Sequence, residues 1–326
     1  MSLFNTQRIR MQNTTAQSPT QTRKKWLRRR ILSFLRFLKS FVQLGKLAQY
    51  PSKPLVIPKY YFNEKTLSPP IPTISIITPS YNQAAFLEKT IESVIEQDYP
   101  KLEYIIQDGA SSDHSAEIIQ RYQSQLRFWE SKKDDGQTNA INRGFSHSTG
   151  EIMAYLNSDD LLLPGSLNYV AHFFQTHPNI DVIYGNRIIV NENGDEMGRW
   201  ILPGHSSYTL RWSDFIPQET LFWRRRIWEK IGSQLDEHFK FAMDWDLLLR
   251  FQDAGARFAH IPRFLGAFRV HAAQKTSSQI NTQGLKEMEE LRFRSHRRKA
   301  SYFEVHLRTS PYYLKHLFYR IVNKGS

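Results

Sequence analysis

The chain contains no cysteine, so it can form neither a disulfide bond nor a cysteine-ligated zinc site. It also has no acidic residue before Glu64, although 13 of its 44 lysine and arginine residues lie in that segment. From Glu64 onward 31 basic residues face 31 acidic ones, so the formal charge of +13 comes from the start of the chain. We therefore expect no general nucleic-acid surface on the remaining body, and we predict no nucleic-acid partner.

Long apolar runs are also missing: no uninterrupted stretch approaches the roughly 18 residues that a membrane-spanning helix needs. Residues 24–50 instead repeat apolar side chains at three- and four-residue steps, with basic side chains away from that face. This pattern is typical of a helix lying in the interface of an anionic membrane. The alternative is a basic helix that packs on its own domain or on a partner protein.

The first 72 residues are predicted to lie outside the globular body. Residues 1–22 are polar and expected to be disordered. Six prolines between residues 51 and 72 predict an extended linker after the basic amphipathic helix. The body would then comprise residues 73–279, followed by a basic helical extension over residues 280–326.

From Thr73 onward short apolar stretches alternate with amphipathic ones. Strands are predicted at 74–77, 103–107, around Phe128 and at 152–156, separated by helices. Two further short strands, 181–184 and 187–190, precede a turn at 191–195. This alternation predicts an α/β fold with a mostly parallel, doubly wound sheet flanked by helices. Ligands of such sheets bind at the carboxyl ends of the strands.

One of these strands ends in two adjacent carboxylates, Asp159 and Asp160. Carboxylates at the tip of a buried strand repel each other and lose hydration, and Mg²⁺ or Mn²⁺ would offset that cost. The alternative is a solvated loop in which aspartate caps the helix starting near Pro164. Polar clusters at 78–82 and 108–113 follow two other predicted strands, which favours a shared site at one edge of the sheet.

Four stretches, taken together and in this order, resemble family 2 glycosyltransferases: TPSYNQ at 78–83, DGASSD at 108–113, DGQTNAINRG at 135–144 and LNSDD at 156–160. The resemblance covers about residues 73–275. It implies a GT-A fold and transfer of a sugar, with inversion, from a nucleotide-diphosphate sugar, a UDP-sugar being favoured. It further implies dependence on Mn²⁺ or Mg²⁺ and a carbohydrate or lipid-linked acceptor. Together with the basic helix, it leads us to expect a cytoplasmic protein, peripheral at the inner face of the membrane.

The resemblance also implies roles for individual residues. Asp244 would be the general base, and Asp160 would hold the metal, with His271 completing its shell. Tyr81 would stack on the base of the nucleotide, and Asp108 would accept a hydrogen bond from it. The chain departs from the family at Ala110, where glycine is usual. The implied donor-binding residues are Pro79, Tyr81, Asp108, Asp135, Gly136, Asn139, Asp159, Gln218 and Arg269.

Several of these residues have an ordinary structural alternative. Asp244 could serve as a helix N-cap, Asp108 as a turn-forming residue before glycine, and Gln218 as a satisfied core amide. A lone histidine such as His271 is more often structural than a ligand. Tyr81 could equally be a half-buried aromatic.

Two other functions stay open. A sugar nucleotidyltransferase also binds nucleotide on an α/β sheet, but it needs a glycine-rich, Arg/Lys-containing loop after the first strand, and TPSYNQ is not one. The other hypothesis is a non-catalytic, membrane-associated scaffold with a degenerate nucleotide-sugar pocket. The intact acids Asp108, Asp159, Asp160 and Asp244 argue against it.

Overall fold

The computed structural model describes residues 30, 44–62, 65–274 and 280–322. The chain divides into two units, Met1–Phe41 and Val42–Ser326, and every described residue except Arg30 belongs to the second. The predicted membrane-interface helix over 24–50 therefore lies largely outside the described residues. Its last part, residues 44–50, forms turns and extended chain instead of helix. No helix in the described ranges is long and apolar enough to cross a membrane.

The centre of the second unit is one sheet of nine strands, in the order β3-β2-β1-β4-β8-β6-β9-β5, with β7 paired to β6. The first four strands of this order are parallel, whereas β8 runs antiparallel to both β4 and β6. The strands are β1 (Ile74–Ser80), β2 (Leu102–Asp108), β3 (Phe128–Ser131), β4 (Ile152–Tyr155), β5 (Leu161–Leu162), β6 (Val182–Val190), β7 (Glu196–Trp200), β8 (Phe222–Arg224) and β9 (Phe258–Arg269).

Helices connect these strands, as the predicted alternation requires. Short 3₁₀ turns occur at Lys59–Phe62, Gln123–Gln125 and Gln218–Thr220, and a π-helical turn at Ile280–Gly284. The α-helices are α1 (Ala84–Ile95), α2 (Ser115–Arg121), α3 (Gln137–Ser146), α4 (Ser166–Thr176), α5 (Ser207–Leu210), α6 (Arg225–Lys230), α7 (Met243–Asp253), α8 (Leu285–His296) and α9 (Tyr302–Val322).

The prediction of two strands at 181–184 and 187–190 was wrong, because β6 runs through both. Gly185 and Asn186, which suggested a break, lie where the parallel pairing of β6 with β9 shifts register. A Cβ at Gly185 would lie 2.5 Å from the carbonyl oxygen of Arg263, so glycine lets the two strands approach at this irregularity. The turn predicted at 191–195 does connect β6 to β7.

The two faces of the sheet bury separate cores, since alternate residues of a strand point to opposite sides. One core receives Ile77, Ile105 and Met153, the other Ile76 and Ile106. The first core also holds three buried tryptophans, together with side chains of the C-terminal helices. These are Trp223, Trp228, Trp245, Leu291 and Tyr312. The C-terminal helices α8 and α9 thus share the core of the sheet.

The segment before Thr73 contacts the body along much of its described length. Trp200 donates from Nε1 to the carbonyl oxygen of Lys46 at 3.0 Å, and the backbone of Lys53 pairs with that of Glu196 in an isolated antiparallel β-bridge. Tyr61 is buried, and the guanidinium of Arg263 lies 4.0 Å from its ring centre. The part of this segment expected to be a linker therefore packs on the β6–β9 half of the sheet.

Candidate active site

A cavity of about 1130 Å³ opens at the carboxyl ends of β1 and β4. Its wall also includes residues from α3, from the 3₁₀ turn Gln218–Thr220 and from the start of α7. Among the described residues, six carboxylates and two basic side chains line it, so this part of the wall is strongly acidic. These residues are Asp134, Asp159, Asp160, Asp214, Glu219 and Asp244, with Lys133 and Arg187.

The loops after β1 and β2 form one side of the cavity and are joined by hydrogen bonds. Asn82 donates its backbone N–H to Ser111 Oγ at 2.8 Å and accepts at Oδ1 from the backbone N–H of Ser112 at 2.9 Å. Both loops depart from ordinary backbone geometry, with φ at +51° for Asn82 and +61° for Ala110. Ala110 therefore takes the conformation that glycine adopts without strain. Tyr81 projects here with 62% of its surface exposed, so the half-buried alternative does not describe it.

Asp108 is fully buried at the end of β2 and holds this loop region together. Its carboxylate accepts hydrogen bonds from the backbone N–H of Ser111 at 2.9 Å and from the hydroxyls of Ser111 and Ser131, each at 2.5 Å. These contacts give Asp108 a structural role in the protein as described. The hydrogen bond to a nucleotide base stays a prediction.

The pair Asp159–Asp160 follows β4, and residues after β9 surround it. The carboxylate of Asp160 accepts from the backbone N–H of Arg269 at 3.1 Å. Asp159 Oδ2 lies 2.9 Å from His271 Nε2, so His271 contacts the carboxylate next to Asp160. Its expected place in the shell of a metal stays a prediction. Arg269 directs its guanidinium to the carbonyl oxygens of Asp159 and Glu192, both at 2.9 Å. This arginine fixes the loop, and its predicted diphosphate contact is untested.

Burial raises the pKa of Asp160 well above its ordinary value, and the neighbouring carboxylates of Asp159 and Glu219 raise it further. Arg187 counteracts part of this effect. Arg187 itself is a buried cation whose Nε and Nη2 both donate to Glu219, at 2.7 and 2.5 Å. Its guanidinium lies between the rings of Trp200 and Phe268, 4.6 and 4.4 Å from their centres.

The segment predicted to cover the donor, 135–139, is attached to the loop before α7. Asn139 donates to Glu237 at 3.1 Å, and Lys240 donates to the carbonyl oxygen of Asp135 at 3.1 Å. Gly136 precedes α3 with φ at +106°, a conformation that favours glycine. The donor side of the cavity is thereby connected to the element that carries Asp244.

Gln218 joins the two sides of the cavity as a satisfied amide. Its Nε2 donates to the carbonyl oxygen of Tyr155 at 2.7 Å, and its Oε1 accepts from Asn157 Nδ2 at 3.1 Å. Asn157 also accepts from Gln137 at 2.6 Å. Gln218 lines the cavity but its amide groups are already paired, which is the structural alternative that the sequence left open.

Asp244 is half-buried in the first turn of α7 and faces the cavity. Its Oδ1 accepts from the backbone N–H of Trp245 at 2.8 Å, which keeps the carboxylate at the helix N-terminus. Burial raises the pKa of Asp244, while that hydrogen bond and Arg187 oppose the rise. A second half-buried acid, Asp214, lines the same cavity, and burial together with Asp244 raises its pKa well above the ordinary value.

A buried glutamate of α8 fixes the residues just before α7. The carboxylate of Glu287 accepts from the backbone N–H groups of Lys240, Phe241 and Ala242 at 3.0, 2.9 and 2.8 Å. Burial alone would raise the pKa of Glu287, but these donors outweigh it and lower the pKa. The C-terminal helix α8 therefore holds the entry to the helix that carries Asp244.

The structure brings seven of the twelve predicted site residues to the cavity wall: Pro79, Tyr81, Gly136, Asp159, Asp160, Gln218 and Asp244. The other five, Asp108, Asp135, Asn139, Arg269 and His271, are not among the lining residues, and four of them hold neighbouring segments in place through their side chains.

Among the lining residues that were not predicted as site residues, four matter most to the chemistry: Tyr155, Arg187, Asp214 and Glu219. Tyr155 counted only as an apolar member of a buried strand. Arg187 lies in a predicted strand and Glu219 follows Gln218, and only their mutual pairing in the structure reveals them as a unit. Asp214 belongs to no recognisable motif, so no signal in the sequence could have found it.

The carboxylates fit a divalent cation on the donor side. Asp160 is buried, faces Asp159 and Glu219, and has a raised pKa, so a bound cation would offset charge repulsion there. Within the described ranges, however, no group of three or more His, Asp or Glu side chains is arranged to hold a metal by itself. A cation at Asp160 would need further oxygen ligands from a bound diphosphate and water, as is common for Mg²⁺.

Comparison with known proteins agrees with this arrangement. The family model described as glycosyl transferase family 2 matches residues 75–245. An uncharacterized glycosyltransferase of Nostoc sp. is 31% identical over 173 residues, covering 48% of this chain and 52% of the relative. The O-antigen biosynthesis protein RfbC of Myxococcus xanthus is 29% identical over 211 residues, covering 63% and 16%. The chain thus spans about half or less of these relatives.

Two solved structures share the fold. One is S. aureus TarS 1–349 in complex with UDP-GlcNAc, with a TM-score of 0.58, 17% identity, and coverage of 77% of this chain and 74% of that one. The other is the mannosyltransferase PcManGT of Pyrobaculum calidifontis in complex with GDP-Man and Mn²⁺, with a TM-score of 0.55, 18% identity, and coverage of 90% and 78%.

At this identity the likeness to the solved structures concerns the fold alone. It confirms the predicted α/β fold of GT-A type. The family model matches more than half of the chain and spans β1 to the start of α7, and with it Asp159, Asp160 and Asp244. The chain belongs to glycosyl transferase family 2.

Proposed function

We propose that this protein transfers a sugar from a nucleotide-diphosphate sugar to an acceptor hydroxyl, with inversion, and with Asp244 as general base. The observation that carries the proposal is a single cavity lined by Asp159 and Asp160 at the end of β4 and by Asp244 at the start of α7. Acids far apart in the sequence thus face one space, at the strand ends where α/β sheets bind ligands.

The donor would bind on the side formed by the loops after β1 and β2. Tyr81 offers an exposed ring for stacking on a nucleotide base, and Pro79 lines the same cavity. Gly136 adds a stretch of backbone without a side chain at the start of α3. A UDP-sugar remains the favoured donor; TarS with UDP-GlcNAc and PcManGT with GDP-Man show that proteins of this fold bind such donors.

Mn²⁺ or Mg²⁺ would be held by Asp160, with Asp159 beside it. When bound, the ion would offset the negative charge that develops on the leaving nucleoside diphosphate. The complex of PcManGT, a protein with the same fold, with GDP-Man and Mn²⁺ supports this choice. His271 contacts Asp159 through Nε2, and its proposed role is to orient that carboxylate or to join the ligand set.

Asp244 would take the proton of the acceptor hydroxyl while the hydroxyl oxygen attacks the anomeric carbon of the donor sugar. The bond from that carbon to the diphosphate oxygen breaks as the new glycosidic bond forms, and the electron pair leaves with the diphosphate. A single displacement of this kind inverts the anomeric configuration. Asp244 and Asp160 line the same cavity, which supports an acceptor hydroxyl and a diphosphate leaving group meeting at one sugar carbon.

The acceptor would be a carbohydrate or a lipid-linked glycan, in keeping with the O-antigen biosynthesis relative. Attachment to the inner face of a membrane through residues 24–50 remains part of the proposal. Its basic and apolar pattern supports attraction to anionic lipids. The scaffold and nucleotidyltransferase alternatives are disfavoured by the acids that line the cavity.

The proposal is tested with a panel of UDP-, GDP- and dTDP-sugars, supplied with Mn²⁺, with Mg²⁺ or with EDTA. Release of nucleoside diphosphate and formation of a glycoside product are measured. We expect one nucleotide class to be consumed and EDTA to abolish the reaction. Conversion of a donor and added pyrophosphate into the nucleoside triphosphate and a sugar 1-phosphate would indicate a nucleotidyltransferase, and metal-dependent binding without turnover of any donor would favour the scaffold.

A further inference from the structure

The far end of the cavity contains an acid for which the proposed reaction has no use. Asp214 lies between α5 and the 3₁₀ turn Gln218–Thr220 and lines the cavity together with Asp244. Its carboxylate accepts from the backbone N–H groups of Phe215 and Ile216, at 3.2 Å for the latter. No basic side chain of the described chain forms an ion pair with it. An unpaired, desolvated carboxylate lowers stability, so folding alone does not explain its presence.

A second group in the same wall lacks a partner. Tyr155, the last residue of β4, is 2% exposed, and its hydroxyl makes no hydrogen bond to any described residue. Buried phenols normally find a partner. Burial, followed by the charges of Asp244, Asp214 and Asp160, raises the pKa of this phenol well above its ordinary value. It therefore stays protonated and is available as a donor among three acids.

These groups complement a sugar and not an anion. A sugar hydroxyl both donates and accepts, so it can donate to a carboxylate while it accepts from the phenol. A phosphate or carboxylate at the same place would face two acids with one neutral donor, and like charges would repel it. Of the two basic residues that line the cavity in the described ranges, Arg187 already donates to Glu219 through two of its nitrogens, and Lys133 is exposed in the loop between β3 and α3.

We propose that Asp214 and Tyr155 form the binding site for a neutral sugar acceptor, in which Asp214 holds a second hydroxyl of the sugar whose first hydroxyl is deprotonated by Asp244. The inference rests on the proposed function and names the acceptor class for the same cavity. Asp214 then determines acceptor affinity, whereas donor binding depends on the loops after β1 and β2.

The test uses the full chain with the donor found active in the panel and with two sets of acceptors. One set is neutral, the octyl glycosides of glucose, galactose, mannose and N-acetylglucosamine; the other contains their 6-phosphates. Initial rates give the acceptor KM and kcat for wild type, Asp214→Asn and Tyr155→Phe. Calorimetry measures the affinity for UDP or GDP with Mn²⁺. The exposed Asp253 provides a matched control, Asp253→Asn.

We expect transfer to at least one neutral glycoside and a markedly lower kcat/KM for its 6-phosphate. Asp214→Asn should raise the acceptor KM at least tenfold, and Tyr155→Phe at least threefold, with nucleotide affinity within twofold of wild type. Thermal melting of Asp214→Asn at or above the wild-type temperature would exclude misfolding as the cause.

The acceptor assignment would be overturned if the wild type binds nucleotide but transfers sugar only to phosphorylated acceptors, or to none of the neutral ones. An unchanged acceptor KM in both variants would overturn the roles of Asp214 and Tyr155. Neither result contradicts the proposed function. That proposal fails separately, if the wild type binds and consumes no nucleotide sugar at all.

Discussion

At the scale of single residues, the cavity wall is acidic at a cost in stability. Asp160, Asp214 and Asp244 all have raised pKa values because burial removes their hydration. Groups held in an unfavourable environment of this kind cluster at functional sites, where a ligand supplies the missing partner. The sequence predicted Asp160 and Asp244, since each belongs to a motif, but gave no sign of Asp214.

The first prediction concerns Asp244. Asp244→Asn removes the group that accepts the acceptor's proton, so we expect kcat to fall by about 10²- to 10⁴-fold, with nucleotide affinity retained. In the wild type the base must be ionised, and its pKa is raised above the ordinary value of about 3.9. Transfer should therefore rise with pH through an acid limb above that value. Tyr155 and Arg187 stay protonated and Glu287 stays ionised across this limb, whereas Asp214, whose pKa is also raised, gains its charge there as well.

Initial-rate measurements from pH 4 to 8 check this point, using a buffer series of constant ionic strength. A fully active Asp244→Asn variant, or an acid limb unchanged in that variant, would assign the base elsewhere.

Ala110 offers a second prediction, on stability. A φ of +61° destabilises the folded protein by about 1–2 kcal/mol when the residue is alanine. Glycine removes this strain, but it also makes the unfolded chain more flexible, which cancels part of the gain in stability. We expect Ala110→Gly to raise the free energy of unfolding by up to about 1 kcal/mol. Urea unfolding measures the change. Ala116→Gly, inside α2, is the control and should instead lose about 1 kcal/mol; equal losses in both variants would refute the strain at Ala110.

At the scale of elements, two connections join the halves of the site. Asn139 and Lys240 attach the donor segment to the loop before α7, and Glu287 of α8 holds that loop from the other side. Asp244 thus occupies a helix start that is fixed by elements on both sides. These contacts join residues about 50 or 100 positions apart, so no local pattern could have predicted them.

Glu287→Gln tests the second connection. The amide can accept at one oxygen only, and its NH₂ group would face backbone donors. We therefore expect the free energy of unfolding to fall by about 1–3 kcal/mol and kcat to fall with nucleotide affinity unchanged. Chemical denaturation and initial rates measure both. Glu290→Gln, on the exposed face of the same helix, is the control and should change neither.

The same variant has a pH signature. Because the pKa of Glu287 is lowered in the folded protein, its ionised form stabilises the fold above the unfolded pKa of about 4.3, and that contribution is lost as pH falls through the folded pKa. The stability difference between wild type and Glu287→Gln should therefore shrink below about pH 4. A difference that is constant with pH would mean that Glu287 acts by packing alone.

At the scale of the whole molecule, the alternation of strands and helices from β1 to β4 followed from the sequence, because each of these elements carries its own periodicity. The sequence did not predict β5, β7, β8 and β9. The pairing of strands within the sheet could not be predicted from the sequence. The antiparallel insertion of β8 between β4 and β6, and the parallel pairing of β6 with β9, join segments far apart in the chain. The cavity lies where these pairings converge, so its motif residues were predictable and its full lining was not.

The charge asymmetry of the chain leads to a prediction about membranes. Arg28, Arg29 and Arg30 form a cluster near the start of the basic segment 24–50, and each basic residue near an anionic surface contributes about 1 kcal/mol. Changing all three to glutamine in the full chain should weaken partitioning onto phosphatidylserine-containing vesicles by roughly 100-fold. Flotation measures it, with phosphatidylcholine vesicles as the control. Equal flotation of the variant and the wild type would remove the membrane role of this segment.

The central claim is that Asp160 and the diphosphate of a nucleotide share a divalent cation in the cavity that Asp244 faces. Calorimetric titration of UDP and GDP, with and without Mn²⁺, tests it most directly in the wild type, Asp160→Asn and Asp244→Asn. We expect Mn²⁺ to increase the affinity for one nucleotide at least tenfold in the wild type and in Asp244→Asn, and to have little effect in Asp160→Asn. Affinity that is independent of Mn²⁺ in the wild type, or equally enhanced in Asp160→Asn, would contradict the account.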